Sequence, residues 1–201
     1  MPDDEPEGFE TLYRSVGTDL TKLPWAALAP RPPLAHWLDS VGPAADRRAL
    51  VVGCGLGDDA EELGRRGYRV TAFDISPTAI HWCLTRFPET CVDYHVADVL
   101  DLPTEWQQAF DMVVESATIQ SIEPAHRNQV IQAIASTVAP TGLLFVLATL
   151  RPDRTPAPSR PWPVSRGELA GFGAAGLHEL SYTQIPDLVA GHPGFVAVFT
   201  R

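Results

Sequence analysis

Excess positive charge is the first thing this chain lacks. Fifteen lysines and arginines stand against 25 aspartates and glutamates, a formal net charge of −10. Broad nucleic-acid binding, which needs cationic surface to displace counterions, is therefore not expected. No apolar run approaches the roughly 20 residues a membrane helix requires, so no membrane association is expected. The amino terminus, MPDDEPEGFE, has neither the basic start nor the apolar stretch of a secretory signal, which points to the cytoplasm. Cysteine is sparse and unpatterned: Cys54, Cys83 and Cys91 form no CxxC pair and no zinc-like spacing. They read as small buried or half-buried thiols. The six histidines are scattered without an HExxH, so no metal is expected.

What is present describes one globular domain. The length, 201 residues, is enough to bury a core, and the 45% hydrophobic, 20% charged composition is that of an ordinary soluble fold. Residues 1–41 are set apart. The first ten are acidic and read as loose, and 11–41, with Trp25, Trp37 and several prolines, read as a helical cover. The main domain spans 42–201, and from residue 49 strands and helices alternate in it. The strands are 49–52, 68–74, 92–98, 110–116 and 142–149, followed by 176–182 and 194–200 as an antiparallel pair.

Helices are expected at 58–66, ending at Gly67, at 124–138, and from Pro77 to Phe87 behind a Ser76 cap. In the last, Ile80, Cys83, Leu84 and Phe87 fall on one face. Ser165 and Glu168 make an S-x-x-E capping box for a further helix. The pattern implies a Rossmann-like, doubly wound, seven-stranded, mostly parallel sheet with a C-terminal antiparallel strand, in a single domain. Residues 151–164, rich in proline, form the one long irregular loop.

In such sheets a ligand sits beyond the carboxyl ends of the strands, and the first strand-to-helix turn is the natural place. Here that turn is VVGCGLG (51–57), followed at once by Asp58 and Asp59. A dinucleotide needs G-x-G-x-x-G, but the third glycine of that pattern is replaced by Asp58, and two carboxylates would repel a pyrophosphate. S-adenosylmethionine carries no phosphate, and its sulfonium and ammonium would welcome acidic neighbours. Backbone at Gly53, Cys54, Gly55 and Gly57 would then approach its methionine portion. Asp74, at the end of the second strand, suits both ribose hydroxyls, with Ile75 packing on adenine. Asp98 could accept from the adenine amino group beside the Val99 backbone, or cap a turn.

The motifs VVGCGLG, TAFDIS, ADVLDL and FDMVVES resemble those of the class I S-adenosylmethionine-dependent methyltransferases over residues 49–149. Outer segments are most similar to the thiopurine and halide/thiol methyltransferase branch. They are GCGLGDDAEEL, LPWAALAPRPPLAHWL (23–38), FDMVVESATIQSIEPAHR (110–127), RPWPVSRGEL (160–169) and FVAVFTR. The resemblance implies S-adenosyl-L-methionine as cofactor and S-adenosyl-L-homocysteine as product, with Trp25 in a segment folded over the cofactor. Two positions depart from the branch. Its Asp-Arg pair after strand four is Glu115-Ser116 here, and its tyrosine shortly after the arginine is missing near Val130.

The expected reaction is in-line methyl transfer to an O, S or N atom of a small, aromatic or apolar acceptor. The alternatives are a methyltransferase of proteins or other macromolecules, or a non-catalytic module that binds the cofactor. Glu115, at the end of strand four, is the candidate polar group near the transferred methyl; it could instead orient cofactor or backbone. Arg127 is a candidate acceptor contact or the ion-pair partner of a site carboxylate. His126 reads as an acceptor contact or a solvated surface residue, Trp162 as an acceptor wall in the loop, and Trp25 as a cofactor shield or an anchor of the cover. A monomer or homodimer would serve.

Overall fold

The structure is a computed structural model and describes residues 6–156, 160–189 and 191–201. The fold is α/β and Rossmann-like, with mostly parallel strands and antiparallel pairing near the C-terminus. Its contacts gather in two units, Met1–Asp98 and Val99–Arg201.

In the first unit β1 (Arg48–Val52), β2 (Arg69–Asp74) and β3 (Asp93–Val96) run parallel, β2 in the middle. Ala49, Leu50, Val51 and Val52 are all buried, as expected of a β-branched run covered on both faces. The register pairs Val52 with Phe73 and Asp74 with Val96, so β1 and β2 deliver the glycine turn and Asp74 to the same end. α3 (Asp58–Arg65) follows the turn, and α4 (Pro77–Arg86) follows β2. The Ser76 cap is as the sequence implies: its Oγ accepts from the Ala79 N–H at 3.0 Å.

The structure departs from expectation at two places in this unit. The buried face of α4 is Ala79, Ile80 and Cys83, whereas Leu84 is exposed. Trp82, not Leu84, packs against the apolar cluster to which α1 (Pro6–Ser15) contributes Tyr13. α1 itself replaces the loose acidic start, of which residues 1–5 lie outside the described set. Phe9, Leu12, Tyr13 and Val16 pack with Leu56 and Ala79. A second helix of the cover, α2 (Pro32–Val41), buries Leu34 and Leu38.

In the second unit β4 (Phe110–Ser116) lies parallel to β5 (Val138–Arg151). β8 (His192–Thr200) is antiparallel to β5 and to β7 (His178–Val189). The seven expected strands are present among the described residues, and a two-residue β6 (Val164–Ser165) pairs beside β5 in addition. α5 (Pro124–Thr137) buries Val130, Ile131 and Ile134 as its periodicity demands. The Ser165–Glu168 capping box forms, with the Ser165 N–H donating to Glu168 Oε2 at 2.7 Å. It opens a 3-10 turn at Arg166–Leu169, and only then the short α6 (Ala170–Ala174). Within the expected loop, residues 157–159 lie outside the described set.

Candidate active site

The turn after β1 needs its glycines for two separate reasons. Gly53, Gly55 and Gly57 all have left-handed backbone, with φ of 57°, 56° and 87°. At Gly57 space is also absent: an added Cβ would lie 2.5 Å from the Tyr94 hydroxyl and 3.1 Å from Cys83 Sγ. Behind the turn, Cys83 donates to the Gly55 carbonyl at 3.3 Å, Arg86 Nη1 donates to the Leu56 carbonyl, and the Cys54 N–H reaches Phe73 O at 2.8 Å. Tyr94 donates to Glu61 at 2.8 Å. The loop is thus clamped from its protein side by α4 and β3.

The two aspartates that follow, expected from the sequence to suit the positive charges of the cofactor, are both held by groups of the protein itself. Arg86 donates to both oxygens of Asp58, at 2.7 and 2.9 Å, and neutralises it. Hydrogen bonds from its guanidinium to Asp58 lead the effects that raise the Arg86 pKa. Asp59 Oδ1 accepts from the Arg31 backbone N–H at 2.8 Å, tying the start of α2 to α3. The acidic pair therefore locks the turn and the cover in place. Arg86, the residue that decides the electrostatics, lies 28 positions from Asp58, and nothing local announces it.

Asp74 is only 7% exposed. Its Oδ2 accepts from the Gly55 N–H at 2.9 Å, and its Oδ1 from the Ser76 N–H at 3.0 Å. Burial raises its pKa, although these backbone donors oppose the effect. Tyr13 closes over this end of the sheet: its hydroxyl lies 3.3 Å from where a Gly55 Cβ would be, and it accepts from Trp25 Nε1 at 3.3 Å. Burial, then the Asp74 charge, push the Tyr13 pKa well above its ordinary value. Trp25 meets Tyr13 and Phe9 edge-on, with ring centroids at 5.6 and 6.0 Å. These contacts are those of an anchor for α1.

Glu10 completes the attachment of α1, accepting from Ser76 Oγ at 2.6 Å, the Thr78 N–H at 3.1 Å and Thr78 Oγ1 at 2.7 Å. Sequence reasoning missed Glu10 and Tyr13, yet Phe9, Leu12, Tyr13 and Val16 stand at i, i+3, i+4 and i+7, a helical period in plain sight. Ile75 and Asp98 are half-buried.

The fit to a cofactor can be judged from these groups. With Asp58 paired to Arg86, Asp59 and Glu61 still leave net negative charge in the first turn of α3, which disfavours an anionic diphosphate there. A nucleoside without phosphate meets no such conflict. Asp74, when ionised, is an acceptor-only group with lone pairs beyond its backbone bonds, which suits the paired donors of a ribose. The residues present fit S-adenosylmethionine.

In the second unit, the carboxyl end of β4 carries Glu115, which is fully buried. Its Oε1 accepts from the Thr118 N–H at 2.6 Å and the Ile119 N–H at 2.9 Å. Its Oε2 has no hydrogen-bond partner, and neither has the buried Ser116 Oγ. Burial pushes the Glu115 pKa up to about 7, against the pull of the two backbone donors and the Arg127 charge.

Arg127 is 1% exposed and is engaged on several sides. It donates to Ile119 O at 3.0 Å, to Trp162 O at 2.8 Å and to Glu168 Oε1, while Glu168 Oε2 accepts from Arg151 at 2.7 Å. Of the two roles expected for Arg127, the contacts are those of an ion-pair partner, and the carboxylate is Glu168. Trp162 is half-buried, its N–H donating to Gln120 O at 2.6 Å and its ring under the Arg160 guanidinium at 5.2 Å. The His126 side chain is 59% exposed and 4.0 Å from Glu123, a surface position. Val99 is buried beside a cleft of about 180 Å³ that Trp106 and Ala133 also line. Among the described residues no three His, Cys, Asp or Glu side chains gather as a metal site.

Known proteins share both the sequence and the fold of this chain. Residues 49–142 match the model of a family described as a methyltransferase domain. The ubiquinone biosynthesis O-methyltransferase of Xanthomonas euvesicatoria pv. vesicatoria is 36% identical over 143 residues, which are 66% of this chain and 57% of that protein. The chain therefore spans little more than half the length of that relative. Among solved structures, one from the conversion of a disulfide bond into a thioacetal group during echinomycin biosynthesis superposes with a TM-score of 0.78, at 25% identity, covering 98% of this chain and 92% of that one. The N-methyltransferase NodS from Bradyrhizobium japonicum, in complex with S-adenosylhomocysteine, gives a TM-score of 0.75 at 22% identity, covering 96% and 97%. This second likeness is one of fold.

Proposed function

We propose, from the match of residues 49–142 to the model of a methyltransferase domain, that the chain is a class I S-adenosylmethionine-dependent enzyme that methylates an O, S or N atom of a small, aromatic or apolar acceptor in the cytoplasm. The observation that carries this reading is the Asp74 clasp. A buried carboxylate holds the Gly55 and Ser76 N–H groups at the mouth of a turn that has no side chain at Gly53, Gly55 or Gly57. In this reading Asp74 takes the ribose hydroxyls, the glycine-turn backbone takes the methionine portion, and Asp98 takes the adenine amino group. The bound cofactor supplies an electrophilic methyl group on a good leaving group. The chain's own task is then chiefly to align the acceptor, an effect worth up to about 7–11 kcal/mol in favourable models.

The narrower likeness to the thiopurine and halide/thiol branch rests on the outer motifs alone. The curated relative is named as an O-methyltransferase of ubiquinone biosynthesis. Both lines agree on a small acceptor and differ on its atom. The test is a screen of phenols, thiols, amines and halides for release of S-adenosylhomocysteine, run beside Asp74→Asn. Turnover of at least one small acceptor, lost with Asp74→Asn, is expected. Turnover confined to protein acceptors, or none at all, would overturn the reading.

A further inference from the structure

The clasp that carries the cofactor reading is roofed over within its own unit. Asp74 is 7% exposed and Tyr13, on α1, 2%. The Tyr13 hydroxyl stands 3.3 Å from where a Cβ on Gly55 would be. Burial, then the Asp74 charge, raise its pKa, with a smaller push from Cys54, so these groups lie together under α1. At that exposure Asp74 offers no face wide enough for a ribose. A nucleoside reaches it only when something moves.

α1 is built to be that piece. Glu10 supplies its polar hold on α4, accepting from Ser76 Oγ, the Thr78 N–H and Thr78 Oγ1. Its apolar face sets Phe9, Leu12, Tyr13 and Val16 against Leu56, Ala79 and Trp82. Just behind the helix Gly17 has left-handed backbone, φ 57°, and a Cβ there would meet nothing within 4 Å, so the chain has room to swing. None of residues 17–22 is buried, and the next buried side chain is Leu23. Hinges are a few loop or element-end positions of this kind.

We propose that α1 is a lid over the cofactor seat, with Glu10 as its latch and Gly17 as its hinge, and that its opening sets the rate at which the S-adenosyl cofactor and product enter and leave. This rests on the cofactor reading of the glycine turn and Asp74, and deepens it. The latch contacts are made to α4 and not to the ligand. A weaker latch therefore changes rates and leaves affinity nearly alone, because only differential contacts shift a binding equilibrium.

The test follows S-adenosylhomocysteine by stopped flow, read from the fluorescence of Trp25 and Trp82 beside α1. In the wild type the observed association rate should level off with rising ligand, at the rate of lid opening. Glu10→Gln keeps an acceptor oxygen and gives up the charge. It should raise that ceiling and the dissociation rate together, each about fivefold or more, with Kd held within about twofold. Thr78→Val, which cuts the latch from the other side, should do the same. Equal rates in all three proteins, or an affinity loss carried by dissociation alone, overturn the lid. A second readout needs no ligand. Half-buried Cys54 should react with a neutral maleimide about fivefold faster in Glu10→Gln than in the wild type, the site being identified by peptide mass spectrometry. This separates the two failures. Quickened labelling in a protein that binds no S-adenosylhomocysteine by calorimetry removes the cofactor reading and keeps the lid, whereas binding with unchanged labelling and rates removes the lid alone.

Discussion

Glu115 should make the protein less stable as pH rises, and the size of the effect follows from its burial. Its carboxyl titrates at about 7 in the folded protein against an ordinary 4.5. Below pH 4.5 both folded and unfolded forms carry the proton, and the residue contributes nothing to the pH dependence. Between 4.5 and 7 the unfolded chain releases its proton while the folded one keeps it, so stability declines by about 1.4 kcal/mol per pH unit. Above 7 both are ionised, and the accumulated cost of holding a buried carboxylate levels off at roughly 3 kcal/mol. Glu115→Gln removes the titration and little else, because its amide oxygen can take the same two backbone N–H groups. Urea unfolding of both proteins at half-unit steps from pH 4 to 8.5, without ligand, gives the difference directly. The variant should gain about 3 kcal/mol on the wild type between pH 4.5 and 7 and then run parallel to it. A difference constant to within about 0.5 kcal/mol over the whole range would refute the reasoning, since a carboxyl with an ordinary pKa produces no such divergence.

Three further expectations concern the frame around the glycine turn. Gly57→Ala puts a Cβ 2.5 Å from the Tyr94 hydroxyl at a φ of 87° and should cost about 2–4 kcal/mol. Adding Tyr94→Phe should recover about 1 kcal/mol of that in urea unfolding, and a strictly additive pair would contradict the steric account. Arg86→Ala strands Asp58 and should destabilise by about 1–3 kcal/mol, discounted for partial exposure of the pair. Asp58→Asn in the same chain should restore part of this in thermal melts, and no recovery would mean the ion pair is not what Arg86 supplies. Glu10→Ala removes three hydrogen bonds to Ser76 and Thr78, so amide exchange in residues 6–15 should quicken while β1 and β2 keep their protection. Unchanged exchange in α1 would show that its apolar face alone holds it.

What the sequence discloses is what local chemistry encodes. The apolar run of β1, the Ser76 cap with Pro77, the bounds of β4 and the Ser165–Glu168 box each depend on residues within a few positions of one another, and each is where it is expected. The misreadings share the opposite character. Asp58 reads as facing a ligand because its partner, Arg86, comes 28 positions later on α4. Glu168 reads as a helix cap, which it is, but its links to Arg127 and Arg151 span 41 and 17 positions. Leu84 falls in the expected core because periodicity gives a face and not which neighbour covers it; the cluster to which α1 contributes Tyr13 takes Trp82 instead. α1 is the exception. Its period is legible, and the acidic composition before it masks the pattern. The grounds for the cofactor shift accordingly: the acidic turn still disfavours a diphosphate, but Asp58 is neutralised, and Asp74 carries the positive case.

The central claim is that the Gly53–Gly57 turn and Asp74 form a seat for S-adenosylmethionine, and titration calorimetry of the purified protein tests it most directly. S-adenosylhomocysteine should bind the wild type, bind Asp74→Asn at least about tenfold more weakly, and NAD should give no heat with either. Equal affinity of S-adenosylhomocysteine for both proteins, or saturable binding of NAD in its place, would contradict the account.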